Sequence, residues 1–308
     1  MGTELAGSSP SWNIASDVSQ LLEYHFMVNA LLAGSLAAVT AGLLGWLMLV
    51  RRETFAGHTL AVMAFPGASG AALLGVPAAA GYYAFCGAGA LALGPSRQAR
   101  HGSFRERSAW IGSVQALALA AGFLFVSAYG GVLGDLEGLL FGNLLGIADG
   151  QLLALAALAA LTLALLLAIG RPLLFASIDP EAALARGVPV RALASAFLLM
   201  LGIAVGSISQ ITGVMLVFSL LVAPAASAQA LTPRPALSLT LTVAMGLLVV
   251  WLGLGIAYFS VYPPGFFVAS VSFAIYVLAR ACEALRPRRA SGEGARRTPD
   301  VRPDELVA

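Results

Sequence analysis

The sequence contains no lysine, and all 17 of its basic residues are arginines. Because a Walker A loop needs a lysine to bind phosphate, this chain has no such nucleotide site of its own. Charged residues make up only 10% of the chain, whereas soluble globular proteins average about a quarter. The formal net charge of +2 is too small to indicate nucleic-acid binding. These shortages exclude a soluble globular enzyme and argue against a nucleic-acid partner.

Cysteine is also scarce. Cys86 lies within an apolar run and Cys282 near a basic end, so neither predicts a disulfide. The first residues lack the basic segment of a cleavable signal peptide, and we interpret 1–26 as an extracytoplasmic leader. Residues 283–308 are rich in arginine, proline and glycine and poor in apolar residues, which predicts a disordered cytosolic tail. The remaining segment, 27–282, is the predicted transmembrane domain.

Hydrophobic residues account for 59% of the chain and fall into runs separated by short polar breaks. One helix needs about 20 mostly apolar residues to cross a bilayer, and helices satisfy their own backbone polar groups there. The pattern therefore predicts an all-α, polytopic transmembrane helical bundle with about eight or nine spans. The runs lie near residues 27–50, 59–76, 78–94, 109–133, 151–170, 192–208, 211–231, 236–258 and 266–282.

Arginine placement predicts the orientation, because cytoplasmic loops of membrane proteins are enriched in arginine and lysine. With nine spans and the N terminus outside, every arginine falls in an inside break or in the C-terminal region. The arginines in these breaks are Arg51 and Arg52; Arg97, Arg100, Arg105 and Arg107; Arg171, Arg186 and Arg191; Arg234; and those from Arg280 onward. We therefore expect an N-out, C-in topology in the cell membrane.

The centres of the predicted spans carry no aspartate, glutamate or arginine. Such a charge costs at least about 2.5–3.5 kcal/mol at the bilayer centre and is kept mainly to handle ions or protons. A secondary transporter driven by protons normally needs such a relay, so we expect the energy source to lie on another chain. A secondary transporter without an ATPase is the first rival. An intramembrane enzyme is the second, and it would need a cluster of reactive side chains at membrane depth.

A short helix is predicted in the polar break around residues 177–191. Asp179 suits the N-cap, Pro180 the first helical position, and Glu181 the positive end of the helix dipole. Ala182 and Ala183 belong to the run of helix formers 182–185, and Gly187 is a natural stop. A short helix on the arginine-rich side suits docking onto a motor subunit. From these residues alone, an ordinary loop helix is equally compatible.

Several segments, taken in order, resemble the metal-uptake ABC permeases of zinc, manganese and iron systems. Glu181-Ala182-Ala183 followed by Gly187 is similar to the ATPase-docking loop of ABC permeases. The segments are 26–31 (FMVNAL), 50–52 (VRR), 55–61 (FAGHTLA) with Pro66-Gly67, 140–145 (LFGNLL), 178–183 (IDPEAA), 212–216 (TGVML) and 222–228 (VAPAASA). The resemblance extends over roughly residues 26–282.

The resemblance implies a type II ABC importer-like permease that translocates a divalent metal ion and catalyses no reaction itself. It implies a cytosolic ATP-binding subunit that carries the ATP, an extracytoplasmic metal-binding receptor, a second copy of this chain and surrounding membrane lipid. No cofactor is expected on this chain. A permease for a metal chelate, such as a siderophore or cobalamin, is the alternative, and it is expected to have an extra span.

Members of the family typically carry Gly-Asp-x-x-x-His just after the first inside loop, with the two ligands one helical turn apart. Here the corresponding positions are Gly57-His58 and Val62. An imidazole at His58 suits zinc or another borderline divalent metal, whereas Val62 offers no ligand. The missing partner is compatible with an altered substrate, a histidine pair across the dimer, or a degenerate system. An interfacial histidine is the equally weighted alternative for His58.

Two further groups are candidates of lower rank. His25, beside aromatic residues at the outer end of the first span, is a weaker metal candidate and also fits an interfacial belt. Ser209, Gln210 and Thr212 form a polar stretch between two close spans, where they line a pathway or simply end helices. The spacing of Gly202 and Gly206 predicts a close helix contact.

Overall fold

The structure of the chain, a computed structural model, describes residues 19–20, 23–94, 104–129, 146–260 and 262–285. The leader 1–18, the segment 140–145 and the tail from 286 lie outside the described residues. The helices are α1 (His25–Val50), α2 (Thr54–Leu74), α3 (Ala78–Leu93), α4 (Phe104–Tyr129), α5 (Asp149–Ile178), α6 (Pro180–Ala185), α7 (Val190–Thr212), α8 (Val214–Leu231), α9 (Pro235–Tyr258) and α10 (Pro264–Leu285).

The all-α transmembrane architecture is confirmed, with a difference in the number of full-length spans. Among the described residues, 7 helices are long and apolar enough to cross a membrane, namely α1, α2, α4, α5, α7, α9 and α10. Helix α3 (Ala78–Leu93) and the part Leu216–Leu231 of α8 are shorter apolar segments, so the predicted eight or nine spans become seven long helices and two short ones. Glycines with positive φ mark the two breaks: Gly75 (φ 68°) precedes α3 and Gly213 (φ 78°) precedes α8.

Several helix ends differ from the predicted runs by a few residues. Helix α5 continues through Arg171 and Pro172 to Ile178, because the proline removes one backbone hydrogen bond without ending a long apolar helix. Helix α1 begins at His25, so the last two residues of the predicted leader are helical. Helix α10 ends at Leu285, so the first three residues of the predicted tail, 283–285, are helical. Frayed ends of this kind are the least predictable part of a helix.

Side-chain contacts show which helix ends meet. Arg51, at the α1–α2 turn, contacts Ser177 near the end of α5, and Arg107 near the start of α4 contacts Glu53. At the opposite end, Asn29 near the start of α1 contacts Asp149 at the start of α5. The α1–α2 turn, the start of α4 and the end of α5 therefore lie together at one end of the bundle, which we call the arginine-rich end.

Close helix contacts depend on small residues. Gly67 of α2 and Gly81 of α3 face each other so closely that a Cβ on Gly81 would lie 2.0 Å from the Gly67 carbonyl oxygen. Gly202 of α7 packs against the Cys86 carbonyl of α3, and Gly206 lies beside Tyr82, so the predicted Gly202/Gly206 contact is present. Small residues allow this approach of backbones in a membrane, where dispersion contacts replace hydrophobic burial. The outward face of α5 instead exposes leucines to the surroundings: Leu153, Leu161 and Leu167.

Candidate functional site

Helix α6 begins with the cap that its sequence predicts. The Ala182 backbone N–H donates a hydrogen bond of 2.9 Å to Oδ1 of Asp179, and Pro180 occupies the first turn, where its missing N–H is not needed. Glu181 is exposed in the same turn, close to the positive end of the helix dipole. The helix start is thus stabilised by local interactions alone.

The end of α6 is equally well defined. The Val188 N–H donates to the Ala183 carbonyl at 3.0 Å, and the Gly187 N–H donates to the Leu184 carbonyl at 3.0 Å. Gly187 adopts φ 77°, a left-handed conformation that glycine reaches without a Cβ penalty. This pattern is typical of a Schellman-type helix end and explains why α6 stops after two turns.

The two faces of α6 differ in burial. Ala183 is fully buried against the core, whereas Leu184 is 58% exposed, and Ile178, the last residue of α5, is 67% exposed beside it in the chain. Arg186 lies over the Phe175 ring, with its Cζ 5.3 Å from the ring centroid, and this contact holds the C-terminal end of α6 against α5. The helix is fixed at both ends, and exposed aliphatic side chains lie beside an acidic residue. Such a surface is suited to a protein partner.

His58 lies in the second turn of α2, with its ring 4.5 Å from the Phe218 ring of α8 and tilted by 60°. Its Nδ1 atom is buried and has no hydrogen-bond partner in the part of the chain that the structure describes. Val62, one turn further along α2, is half-buried and offers no ligand atom. Within the described residues, no group of three or more His, Cys, Asp or Glu side chains converges to hold a metal ion. A metal ligated by His58 therefore needs ligands of another type, or ligands from outside the described residues, including a second chain.

His25 belongs to a polar cluster that links the starts of α1 and α5. Asn29 Nδ2 donates to Asp149 Oδ1 at 2.7 Å and contacts the Ile147 carbonyl at 3.4 Å, while His25 Nε2 lies 3.2 Å from the same Asp149 oxygen. Asn29 is buried, whereas His25 and Asp149 are exposed. Sequence reasoning missed Asn29 as a partner of His25 and Asp149, because more than a hundred residues separate the two helices and only the fold brings them together.

Ser209, Gln210 and Thr212 lie in the last turn of α7, directly before Gly213, which separates α7 from α8. Gln210 Nε2 contacts the Gly206 carbonyl at 3.4 Å, and Thr212 Oγ1 donates to the Ile208 carbonyl at 3.0 Å. Both side chains therefore bond to carbonyls of their own helix. For Thr212 this is the usual bond to the carbonyl four residues earlier. Ser209 differs, because its Oγ is buried without a hydrogen-bond partner among the described residues.

A group of charges that sequence reasoning did not single out lies at the arginine-rich end. Glu53 accepts hydrogen bonds from Arg51 at 3.2 and 3.3 Å and from Arg107 at 3.3 Å. The Arg51 and Glu53 side chains are only 9% and 6% exposed. We call Arg51, Glu53 and Arg107 the charge cluster. Sequence analysis placed Arg51 and Arg52 together in an inside break, and no local signal distinguishes the largely buried Arg51 side chain from its exposed neighbour Arg52.

Comparison with known proteins places these features in a family. The sequence model of the ABC 3 transport family matches residues 23–283. The chain is 28% identical over 249 residues to the manganese transport system membrane protein MntC of Halalkalibacterium halodurans. That alignment covers 81% of this chain and 83% of the relative.

Two solved structures share the fold. PsaBC from Streptococcus pneumoniae, solved in complex with Fab, matches with a TM-score of 0.76 at 24% identity, over 86% of this chain and 95% of that one. A transporter described as metal-chelate type, in an inward-facing conformation, matches with a TM-score of 0.69 at 17% identity, over 90% and 94% of the two chains. At these identities the likeness establishes the fold.

Proposed function

The chain belongs to the ABC 3 transport family, and we propose that it is the membrane-spanning subunit of an ATP-driven importer of a divalent metal ion. The observation that carries the proposal is the capped helix α6 at the arginine-rich end, within a chain that matches the family from residue 23 to residue 283. The curated relative in Halalkalibacterium halodurans is a manganese transport protein, which supports manganese as one substrate.

The proposed partner at the arginine-rich end is a separate cytosolic ATP-binding subunit. Asp179 and Gly187 fix the two ends of α6, Pro180 starts it, and Ala182 and Ala183 seat it on the core. Glu181 and the exposed aliphatic side chains are then available to a groove on that subunit. ATP binds and is hydrolysed on the partner, because this chain lacks the lysine of a Walker A loop.

His58 is the proposed metal ligand in the membrane. Its unpartnered Nδ1 is buried, and a buried polar atom without a partner costs about 1–3 kcal/mol, so a ligand or a water at this atom is favourable. Since one subunit provides no converging set of ligands in its described part, we propose that a second copy contributes its own His58 across a dimer interface. Imidazole ligands suit zinc and iron, and the curated relative is a manganese transport protein. All three metals are therefore candidate substrates.

At the opposite end, His25 and Asp149 present an imidazole and a carboxylate to the exterior, where an extracytoplasmic receptor would deliver the metal. The unpartnered Oγ of Ser209 is a candidate pathway atom, with Gln210 and Thr212 beside it in α7. A chelate permease is expected to have a span beyond nine. The described residues form seven long and two short apolar helices, which gives this alternative no support.

The proposal is tested with the chain purified together with its ATP-binding subunit and reconstituted in liposomes. We expect ATP-dependent accumulation of manganese, zinc or iron, measured in parallel with radioactive metals and supplied by the cognate receptor. Accumulation against a gradient by this chain alone, without nucleotide, would show a secondary transporter instead. Nucleotide-dependent uptake of a siderophore or cobalamin without uptake of free metal would show the chelate permease.

A further inference from the structure

We propose that Arg51 and Glu53 are positioning residues that transmit movement of α6 to α2, the helix that carries His58. The inference rests on the proposed function, because it assigns to the charge cluster a role between the ATPase-docking helix and the candidate metal site. No motif in the sequence indicates this connection.

The first link joins the charge cluster to α6. Ser177 Oγ accepts a hydrogen bond from Arg51 Nη1 at 3.0 Å and donates one to the Leu173 carbonyl. Ser177 lies in the last turn of α5, and Asp179 is the only residue between α5 and α6. A displacement of α6 therefore moves the hydroxyl to which the Arg51 guanidinium is bonded.

The second link joins the charge cluster to α2. Glu53 immediately precedes α2, and its carbonyl accepts the Gly57 N–H at 3.0 Å, so it forms part of the first turn that leads into His58. The Glu53 N–H in turn donates to the Met48 carbonyl of α1 at 2.9 Å. Arg52, between the two charged residues, adopts φ 57°, which is unusual for a residue with a Cβ and keeps the α1–α2 turn tight. A displacement of the Arg51 guanidinium therefore pulls on a residue whose backbone belongs to the first turn of α2.

Burial makes the pair behave as a unit. The Arg51 and Glu53 side chains are only 9% and 6% exposed, and separating a largely buried pair leaves a poorly compensated charge. The Arg51 guanidinium also lies over the Phe197 ring of α7 at 5.0 Å. The ends of α1, α2, α5 and α7 are therefore linked through one guanidinium group.

The surroundings leave room for a second arrangement. A cavity of about 250 Å³ adjoins the cluster and is bordered by Pro180 of α6 as well as by Arg51, Glu53 and Arg107. Arg107 is 40% exposed and shares Oε1 of Glu53 with Arg51, so the carboxylate can shift between two arginines without losing its charge partner. Movement at one site can bias another site when the polar network between them has two discrete arrangements.

The decisive variant is Ser177→Ala, which removes one hydroxyl and leaves the ion pair intact. It is compared with Ser177→Thr, which keeps the hydroxyl, and with Glu283→Gln, which breaks an exposed ion pair to Arg280 at the end of α10. Each is assayed in the reconstituted complex with its ATP-binding subunit, using manganese as the probe. The readout is ATP hydrolysed per manganese ion transported.

We expect Ser177→Ala to raise the ATP consumed per ion by about two- to thirty-fold, the range for coupling changes away from a ligand site. Ser177→Thr and Glu283→Gln should match the wild type, and all variants should retain the ATP-binding subunit on purification. A ratio in Ser177→Ala equal to that of the wild type, or a loss that Ser177→Thr does not restore, would overturn the inference. A wild-type complex that shows no nucleotide-dependent metal uptake would instead refute the proposed function.

Discussion

The His58 ring of α2 packs against the Phe218 ring of α8 at a centroid distance of 4.5 Å. One side of the imidazole is thus held by an aromatic contact between two helices, while its buried Nδ1 has no hydrogen-bond partner among the described residues. For the proposed role of His58 as a metal ligand, a ring already held in place would need no further ordering to bind a cation. Removing it should therefore affect transport more than folding.

We expect His58→Ala to reduce metal uptake by about tenfold or more, since the loss of groups that support a metal site costs 10–100-fold. His58→Asp is the matched variant, because it restores the aspartate of the family pattern that the sequence resembles, and it should retain uptake with selectivity shifted toward manganese. Uptake of manganese, zinc and iron is measured in reconstituted vesicles. An alanine variant with unchanged rate and selectivity would remove His58 from the pathway.

Asp179→Ala should weaken coupling to the ATP-binding subunit. The substitution removes the hydrogen bond to the Ala182 N–H, which is worth about 1 kcal/mol to the start of a helix. Asp179→Asn is the control, because asparagine caps a helix as well as aspartate does. Metal-stimulated ATPase activity and uptake are measured for both. Equal loss in both variants would show that the negative charge, rather than the cap, is required.

A second test of α6 addresses docking directly. Glu181→Arg changes an exposed residue that makes no contribution to the core, so the spans should remain folded while ATP-driven uptake falls. Co-purification of the ATP-binding subunit reports docking, and size-exclusion chromatography of the membrane chain reports folding. Full uptake and normal co-purification in this variant would contradict the docking role of α6.

Gly81→Ala should destabilise the bundle by about 1–3 kcal/mol, the usual cost of inserting a methyl group into a packed contact. Its Cβ would lie 2.0 Å from the Gly67 carbonyl oxygen, and backbone atoms have little freedom to move away. Gly87→Ala on the same helix has nothing within 4 Å of the new methyl group and should be neutral or slightly stabilising. The apparent melting temperature in detergent distinguishes the two, and similar values would contradict the close α2–α3 contact.

The N-out, C-in topology is testable with the native cysteines. Cys282 is exposed near the end of α10, whereas Cys86 is buried, so a membrane-impermeant maleimide should label only Cys282. Labelling is expected in inside-out vesicles and absent in intact spheroplasts. Cys282→Ser provides the background signal. Labelling of intact spheroplasts at Cys282 would reverse the predicted orientation.

Local patterns explain why much of this fold is predictable. Apolar runs of about 20 residues specify spans because no other local structure satisfies backbone polar groups in lipid. Asp179, Pro180 and Gly187 act on their immediate neighbours, so the ends of α6 follow from a few adjacent residues. The two short spans were harder to predict, since their lengths depend on single glycines at 75 and 213 whose conformation the composition does not reveal.

The sequence by itself determined the membrane class, the helix count to within two spans, the side on which arginines collect and the capped helix α6. Only the tertiary structure decided that Arg51 is buried against Glu53 and bonded to Ser177, and that Asn29 meets Asp149. The physical reason is distance along the chain. Caps and hydrophobic runs act between neighbours. The Arg51–Ser177 and Asn29–Asp149 contacts instead join residues 126 and 120 positions apart, and they depend on how the helices pack, as does the burial of Arg51 beside nearby Glu53.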